Sequence, residues 1–253
     1  MAGGQARSRD CTQEPVAITE LQLDNLTKHY KHGKVVIRAL DGVSLTIGKG
    51  EFVAIVGRSG SGKTTMLDLI GLLLRPTSGR LIIDGVDAGP LDDRARAHMR
   101  GTMLGFVFQE YNLLQSLNVL ENVMLPLRYA GGGKNGRQRA EDLLERVGLS
   151  DRIRHRPGEL SGGQQQRVAI ARSMVNRPSI ILLDEPTGAV DTETAEQLVT
   201  LLKGFNELDQ VTIVVVTHDL DVANQAKRLV LLKDGKVVAD EPVASVAVAK
   251  SSP

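Results

Sequence analysis

The eight residues Gly57-Arg58-Ser59-Gly60-Ser61-Gly62-Lys63-Thr64 carry the most specific chemistry in the chain. They match the phosphate-loop pattern at every fixed position. The glycines allow close approach of the backbone to phosphate oxygens, and several N–H groups converge there with the start of the following helix. Lys63 adds a mobile positive charge for the β and γ phosphates, Thr64 can place its hydroxyl on Mg²⁺, and Thr65 adds a phosphate contact. A second half-site lies far along the chain in Ile180-Ile181-Leu182-Leu183-Asp184-Glu185, an apolar run ending in two acids. At the end of a buried strand, Asp184 is placed to support Mg²⁺, and Glu185 to polarise an attacking water. A structural ion pair is the plainer role for Glu185. Between the halves stands Leu160-Ser161-Gly162-Gly163-Gln164. A serine hydroxyl and glycines at an expected helix start make a second phosphate-binding surface in a chain that already has one.

In this order the three elements resemble the ATP-binding cassette ATPase family, and the resemblance covers residues 18 to 241. It implies an α/β fold: a P-loop NTPase core with a mostly parallel sheet, an antiparallel β layer and an inserted helical subdomain at about 110–160. It implies ATP and Mg²⁺ as ligands and gives roles to further residues. Gln109, in Phe106-Val107-Phe108-Gln109, looks like the family's sensor glutamine, touching Mg²⁺ or water; its plainer role is a polar strand cap. Tyr30 is placed like the aromatic that stacks on adenine, although one aromatic beside Lys28-His29 would also pack. His218 resembles the switch histidine that contacts the γ-phosphate. Asp191 resembles the aspartate of the dimer loop. Ser161, Gly162, Gly163 and Gln164 would cover ATP held by a second cassette packed head to tail. One phosphate loop and one signature per chain then make a symmetric homodimer with two sites the simplest assembly.

Three stretches resemble the lipoprotein-releasing and macrolide-exporting branch, which is also close to the cell-division cassette: Leu67 to Leu72, Gly105 to Leu114 and Leu120 to Leu127. That branch implies an integral membrane permease as partner, docked on the helical subdomain, with 113–127 as a largely apolar coupling surface centred on Leu114 and Leu117. Leu74, Val190 and the run Gln164-Gln165-Gln166 depart from the branch's usual residues without removing a phosphate, Mg²⁺ or water group. A nutrient or amino-acid importer cassette, or a cell-division ATPase acting on a membrane partner, would share every catalytic element.

These residues need a frame. Phe52 to Val56 reads as a buried strand feeding the loop, Thr65 to Leu74 as the helix after it, and Ile180–Leu183, Thr212–Val216 and Leu229–Leu232 as further parallel strands. Lys233-Asp234-Gly235-Lys236 predicts a hairpin. Ile18 to Leu23, Val35 to Leu40 and Val43 to Ile47, separated by short turns, predict the antiparallel layer, and Leu117–Leu127 and Arg137–Val147 predict helices around a glycine-rich loop at 131–136. Residues 1–17 read as a disordered tail and 242–253 as a weakly specified one. The 253 residues suffice for a sizeable core, and a net charge of +1 gives no nucleic-acid footprint. One cysteine, Cys11, fits a reducing compartment. No apolar run reaches the roughly 18 residues of a membrane span. The expected location is cytoplasmic, on the inner face of the cell membrane through the permease.

Overall fold

Two long strands open the fold. β1 (Thr19–His32) pairs antiparallel with β2 (Val35–Gly48), from Thr19 opposite Gly48 to His32 opposite Val35. The hairpin turns at Gly33, left-handed at φ 60°, within the turn that the sequence predicts. The short strands expected here fuse into two, because register shifts between Leu23 and His29 absorb the irregularity without ending the pairing. β1 also pairs with β4 (Ser78–Ile83), and β4 with β5 (Val86–Asp87), giving a four-stranded antiparallel layer. The computed structural model describes residues 19–33, 35–131 and 135–243; both tail expectations, apart from 242 and 243, the site of Cys11 and the centre of the glycine run lie outside the described residues.

The second sheet holds six strands: β3 (Phe52–Val56), β6 (Leu104–Val107), β7 (Ile180–Asp184), β8 (Thr212–Thr217), β9 (Arg228–Lys233) and β10 (Lys236–Pro242). Their order is β10-β9-β3-β8-β7-β6, and every pairing is parallel except the expected β9–β10 hairpin. Continuous apolar runs suit strands covered on both faces. Within β3 all five residues are buried, yet alternate residues serve different cores. Val53 and Ile55 face the antiparallel layer, packed with Leu21, Leu23 and Ile47. Phe52, Ala54 and Val56 join the opposite core with the helical subdomain.

α1 (Lys63–Ile70) follows the phosphate loop and stops four residues earlier than the periodicity predicts. Gly71 caps it and Leu72 turns left-handed at φ 58°, so Pro76 is not the breaker. α2 (Asp93–Met103) precedes β6. α3 (Val119–Met124), a 3-10 turn (Leu125–Arg128) and α4 (Gly136–Arg146) form the inserted subdomain, and α5 (Gly162–Met174), α6 (Thr192–Asp209) and α7 (Leu220–Ala223) complete the chain. α3 starts at Val119 rather than Leu117, because Asn118 and Glu121 form a reciprocal capping box. Fully buried Asn122 donates to the carbonyls of Leu114, Leu117 and Asn118 and accepts from the Leu114 N–H, folding the preceding loop onto the helix. The expected apolar outer surface at 113–127 is therefore corrected. Leu113, Val119, Leu120, Val123 and Leu127 pack inward, Leu117 is half-buried, and Leu114 alone among these leucines is exposed.

Candidate functional site

The carboxyl ends of β3, β7 and β8 and the start of α1 open onto a cavity of about 680 Å³. The phosphate loop forms its floor. Two positions there admit only glycine. A Cβ at Gly57 would lie 2.3 Å from the Leu232 carbonyl oxygen, and one at Gly62 would lie 2.3 Å from that of Ala39, with φ already at 105°. The loop is thus pressed between β9 and β2, and the Ser61 N–H closes it on the Arg58 carbonyl at 3.1 Å. Lys63 is buried, and its ammonium donates to the carbonyls of Gly57 at 2.8 Å and Arg58 at 3.2 Å. Arg58, Ser59, Gly60, Thr64 and Thr65 line the floor with it.

The wall carries the acids. Thr64 and Asp184 line the cavity together. Burial raises the pKa of Asp184, and the neighbouring charges of Glu185 and Asp68 raise it further. Glu185 sits at φ 46° just past β7, its backbone N–H held by the Val216 carbonyl at 2.9 Å. Its Oε1 lies 2.8 Å from His218 Nδ1, while Oε2 accepts from the His218 N–H and the Thr217 hydroxyl, each at 3.3 Å. The plainer role, an ion pair, is therefore occupied by His218, a residue of the same cavity. A left-handed glutamate costs about 1–3 kcal/mol and persists only where its surroundings fix it. Gln109, beyond the end of β6, completes the wall. Its amide nitrogen lies 3.6 Å from where a Cβ at Gly188 would stand.

Oxygen donors from Thr64, Asp184 and Gln109 suit a hard cation, and a cation would relieve the raised Asp184. Among the described residues no three His, Cys, Asp or Glu cluster into a metal cage. That fits Mg²⁺, which takes one or two protein carboxylates and completes its shell with water and substrate phosphate.

Several expected site residues stand elsewhere in the single chain. Ser61 is buried beneath the loop rather than lining the cavity, its carbonyl accepting from the Gly235 N–H. Tyr30 does not line it either. It pairs across the hairpin with Ile37, which does, so the two side chains share a face with Tyr30 outside the lining. The Lys28 ammonium sits 5.2 Å from the Tyr30 ring centroid. Ile37, Arg38 and Ala39, unmarked in the sequence reading, form the remaining wall. Ser161 and Gln164 lie outside the cavity and bind each other as a capping box on α5, through bonds of 3.0 and 3.3 Å. Gly162 and Gly163 are the first residues of that helix. Asp191 caps α6 through Thr194, whose hydrogen bonds lower its pKa. Neither 161–164 nor Asp191 lines the cavity of the single chain.

Comparison with known proteins agrees with this geometry. The model of the ABC transporter family matches residues 40–188. An ABC transporter ATP-binding protein of Methanocaldococcus jannaschii is 50% identical over 87% of this chain and 96% of its own length. A dimeric structure of that cassette in a post-hydrolysis state, bound to ADP and Pi, superposes with a TM-score of 0.82 at 48% identity, covering 88% of this chain and 98% of that one. The lipoprotein-releasing system ATP-binding protein LolD of Anaeromyxobacter dehalogenans is 48% identical over 90% of this chain and 97% of its own. The macrolide export ATP-binding/permease protein MacB of Syntrophobacter fumaroxidans is 46% identical over 92% of this chain, which spans 34% of that longer protein.

Proposed function

Because the chain belongs to the ABC transporter family of ATP-binding cassettes, we propose that two copies close head to tail over Mg-ATP and that hydrolysis drives a membrane permease of the lipoprotein-releasing or macrolide-exporting kind. The carrying observation is the Glu185 carboxylate, aimed over the phosphate loop by three donors from Thr217 and His218. Lys63 and the loop N–H groups hold the β and γ phosphates, where negative charge shifts during transfer. Glu185 accepts the proton of the attacking water and Gln109 orients that water. His218 holds Glu185 through Nδ1 and would reach the γ-phosphate with the other edge of its ring. Thr64, Asp184 and Gln109 would hold Mg²⁺, which would supply positive charge beside the phosphates.

Ser161 to Gln164 would cover the γ-phosphate of the second copy, and Asp191 would stand at the contact between copies. Closure would exchange the bonds between Ser161 and Gln164 at the start of α5 for contacts with that phosphate. ATP then joins the two copies and hydrolysis loosens them, a two-state element able to do work on a partner.

The partner surface proposed here overlaps the expected stretch only at Leu125 and Pro126. An apolar groove of about 450 Å³ lies between α2, β6, the 3-10 turn and α5. Leu73 and Tyr129 stand exposed on it, at 48% and 83% of full accessibility, beside Phe106, Leu125 and Pro126. Phe106 is three residues before Gln109, so a cytoplasmic helix of the permease seated there would lie next to the nucleotide sensor. No helix among the described residues is long and apolar enough to cross a membrane. The chain would therefore act at the inner membrane face through its partner. The names of the macrolide-export and lipoprotein-releasing relatives favour this branch over a nutrient importer or cell-division cassette, which would share the site.

Mixing two inactive chains tests the crossed pair. Ser161→Arg should block closure over the other copy's ATP, and Lys63→Ala should empty its own phosphate site. In a head-to-tail heterodimer one site carries both lesions and the other none, so ATPase activity should return on mixing. No recovery in confirmed heterodimers would refute crossed sites that work singly.

A further inference from the structure

Arg172, in the third turn of α5, has no role in the mechanism above, yet its guanidinium is desolvated enough to pull its pKa below the ordinary value. Neither of its partners is a carboxylate. Nη2 donates to the carbonyl of Tyr111 at 2.6 Å and Nη1 to that of Asn112 at 2.5 Å. Both residues are left-handed, with φ of 54° and 49°. Two successive non-glycine residues in that region are strained, and a planar fork with two parallel donors is the side chain suited to hold two neighbouring carbonyls.

The gripped residues finish a tight turn. Tyr111 N–H closes it on the Phe108 carbonyl at 3.2 Å, and Gln109 is its second residue. β6 fixes the entry to this turn. Arg172 fixes its exit. At the other end of the same helix the Tyr111 hydroxyl lies against the signature, 3.1 Å from where a Cβ at Gly162 would stand. Arg172 also lines the apolar groove with Phe106 and Tyr129. Were the grip lost, Tyr111 and Asn112 would relax toward negative φ, and the turn carrying Gln109 would rotate.

We propose that Arg172 is the positioning residue for Gln109: by holding the 108–112 turn in its left-handed form it points the Gln109 amide at the phosphates and ties that amide to the signature helix. The proposal rests on the reading of Gln109 as a residue of the ATP site. Arg172 acts through Gln109 and touches no substrate, so its loss should lower kcat and leave nucleotide affinity alone.

The test is a double-mutant cycle in the full chain, reading kcat, KM for ATP and the affinity for a fluorescent ATP analogue. Arg172→Lys keeps the charge but offers a point donor in place of the fork. It should lower kcat about ten- to a hundredfold, the scale of a misplaced catalytic group, with analogue affinity within twofold of the parent. Gln109→Ala should lower kcat similarly, and the double variant should be no more than about twofold worse than the weaker single, because both remove one function. Multiplying losses would overturn the positioning role and leave Gln109's own role standing. Full turnover in Gln109→Ala would overturn that role and the proposal together. A merely structural Arg172 would lower kcat and analogue affinity alike, and so would also overturn it. If Arg172→Lys does not fold, Asn112→Val disturbs the same turn from an exposed position, since a β-branched residue resists a left-handed φ. Its kcat loss should likewise vanish on the Gln109→Ala background, and an additive loss would refute the proposal.

Discussion

Replacing Glu185 by glutamine isolates the proposed base from the frame that holds it. The amide has the same shape, but it cannot accept the proton of water. General-base assistance contributes about 10²–10⁴-fold, or roughly 3–5.5 kcal/mol of barrier, so turnover should fall by at least about a hundredfold. The cost in stability should be small. The glutamine oxygen can keep the bonds from the His218 N–H and the Thr217 hydroxyl, and its NH2 group can donate to His218 Nδ1 once the ring proton moves to Nε2. Exchanging a charge-assisted bond for a neutral one costs about 1 kcal/mol. Against that, Asp184 loses a like charge that raises its pKa. The net change in Tm should stay within about 4 °C for a chain of this size. Phosphate release, thermal melting and sizing with Mg-ATP read the three consequences. Turnover should nearly vanish, Tm should hold, and an ATP-bound dimer should accumulate. A folded Glu185→Gln chain that hydrolyses ATP within tenfold of the parent would refute the assignment of the base.

Asp184→Asn should stabilise the nucleotide-free chain at neutral pH by roughly 0.5–2 kcal/mol, the scale of relieving a strained functional group, while abolishing the extra stability conferred by Mg-ATP. The sign follows from a folded pKa raised above the ordinary carboxyl value of 3.8: the wild-type carboxyl costs nothing below that pH and becomes a liability as pH rises through its folded value. Denaturation curves of both chains across pH 3.5–8 should therefore diverge upward, and parallel curves would contradict the burial argument. Tyr129→Asp and Leu73→Asp alter exposed groove residues, so basal ATPase and Tm should be unchanged. Stimulation by a co-expressed permease should be lost in both, and normal stimulation would move the docking surface elsewhere.

The chemistry was more legible than its supports. Phe52–Val56 was predicted to the residue because an unbroken apolar run between a glycine turn and a phosphate loop has few alternatives. The phosphate loop, Asp184, Glu185, Gln109 and His218 converge because each stands at the end of a readable strand. Polar elements were harder. α2 escaped the periodicity argument since its buried Arg96 is satisfied by the carbonyls of Leu72, Leu74 and Ala88, a network no local pattern announces. The 113–127 stretch departs from expectation because apolar residues look the same in sequence whether they meet a partner or their own subdomain. Only Asn122, an amide that folds the loop onto α3, distinguishes the two cases. Ile37 to Ala39 carry no chemical signature and enter the site only through hairpin pairing with Tyr30 and its neighbours.

One hydrophobic core runs without a break from the sheet into the inserted subdomain. Ala54, Leu183, Ile213 and Val215 on the strands share it with Val123, Leu127, Ala140 and Leu144 on α3, the 3-10 turn and α4. Arg146 of α4 adds a seam across the division, stacking 4.3 Å above the Phe205 ring and gripping the Asp209 carboxylate with both terminal nitrogens. Anyone exchanging the helical segment between cassettes to redirect partner choice would be cutting through a shared interior, not along a linker. A working chimaera has to carry the strand-face residues and the Phe205–Asp209 end of α6 together with the graft, so the subdomain is transferable only as a block larger than its own surface.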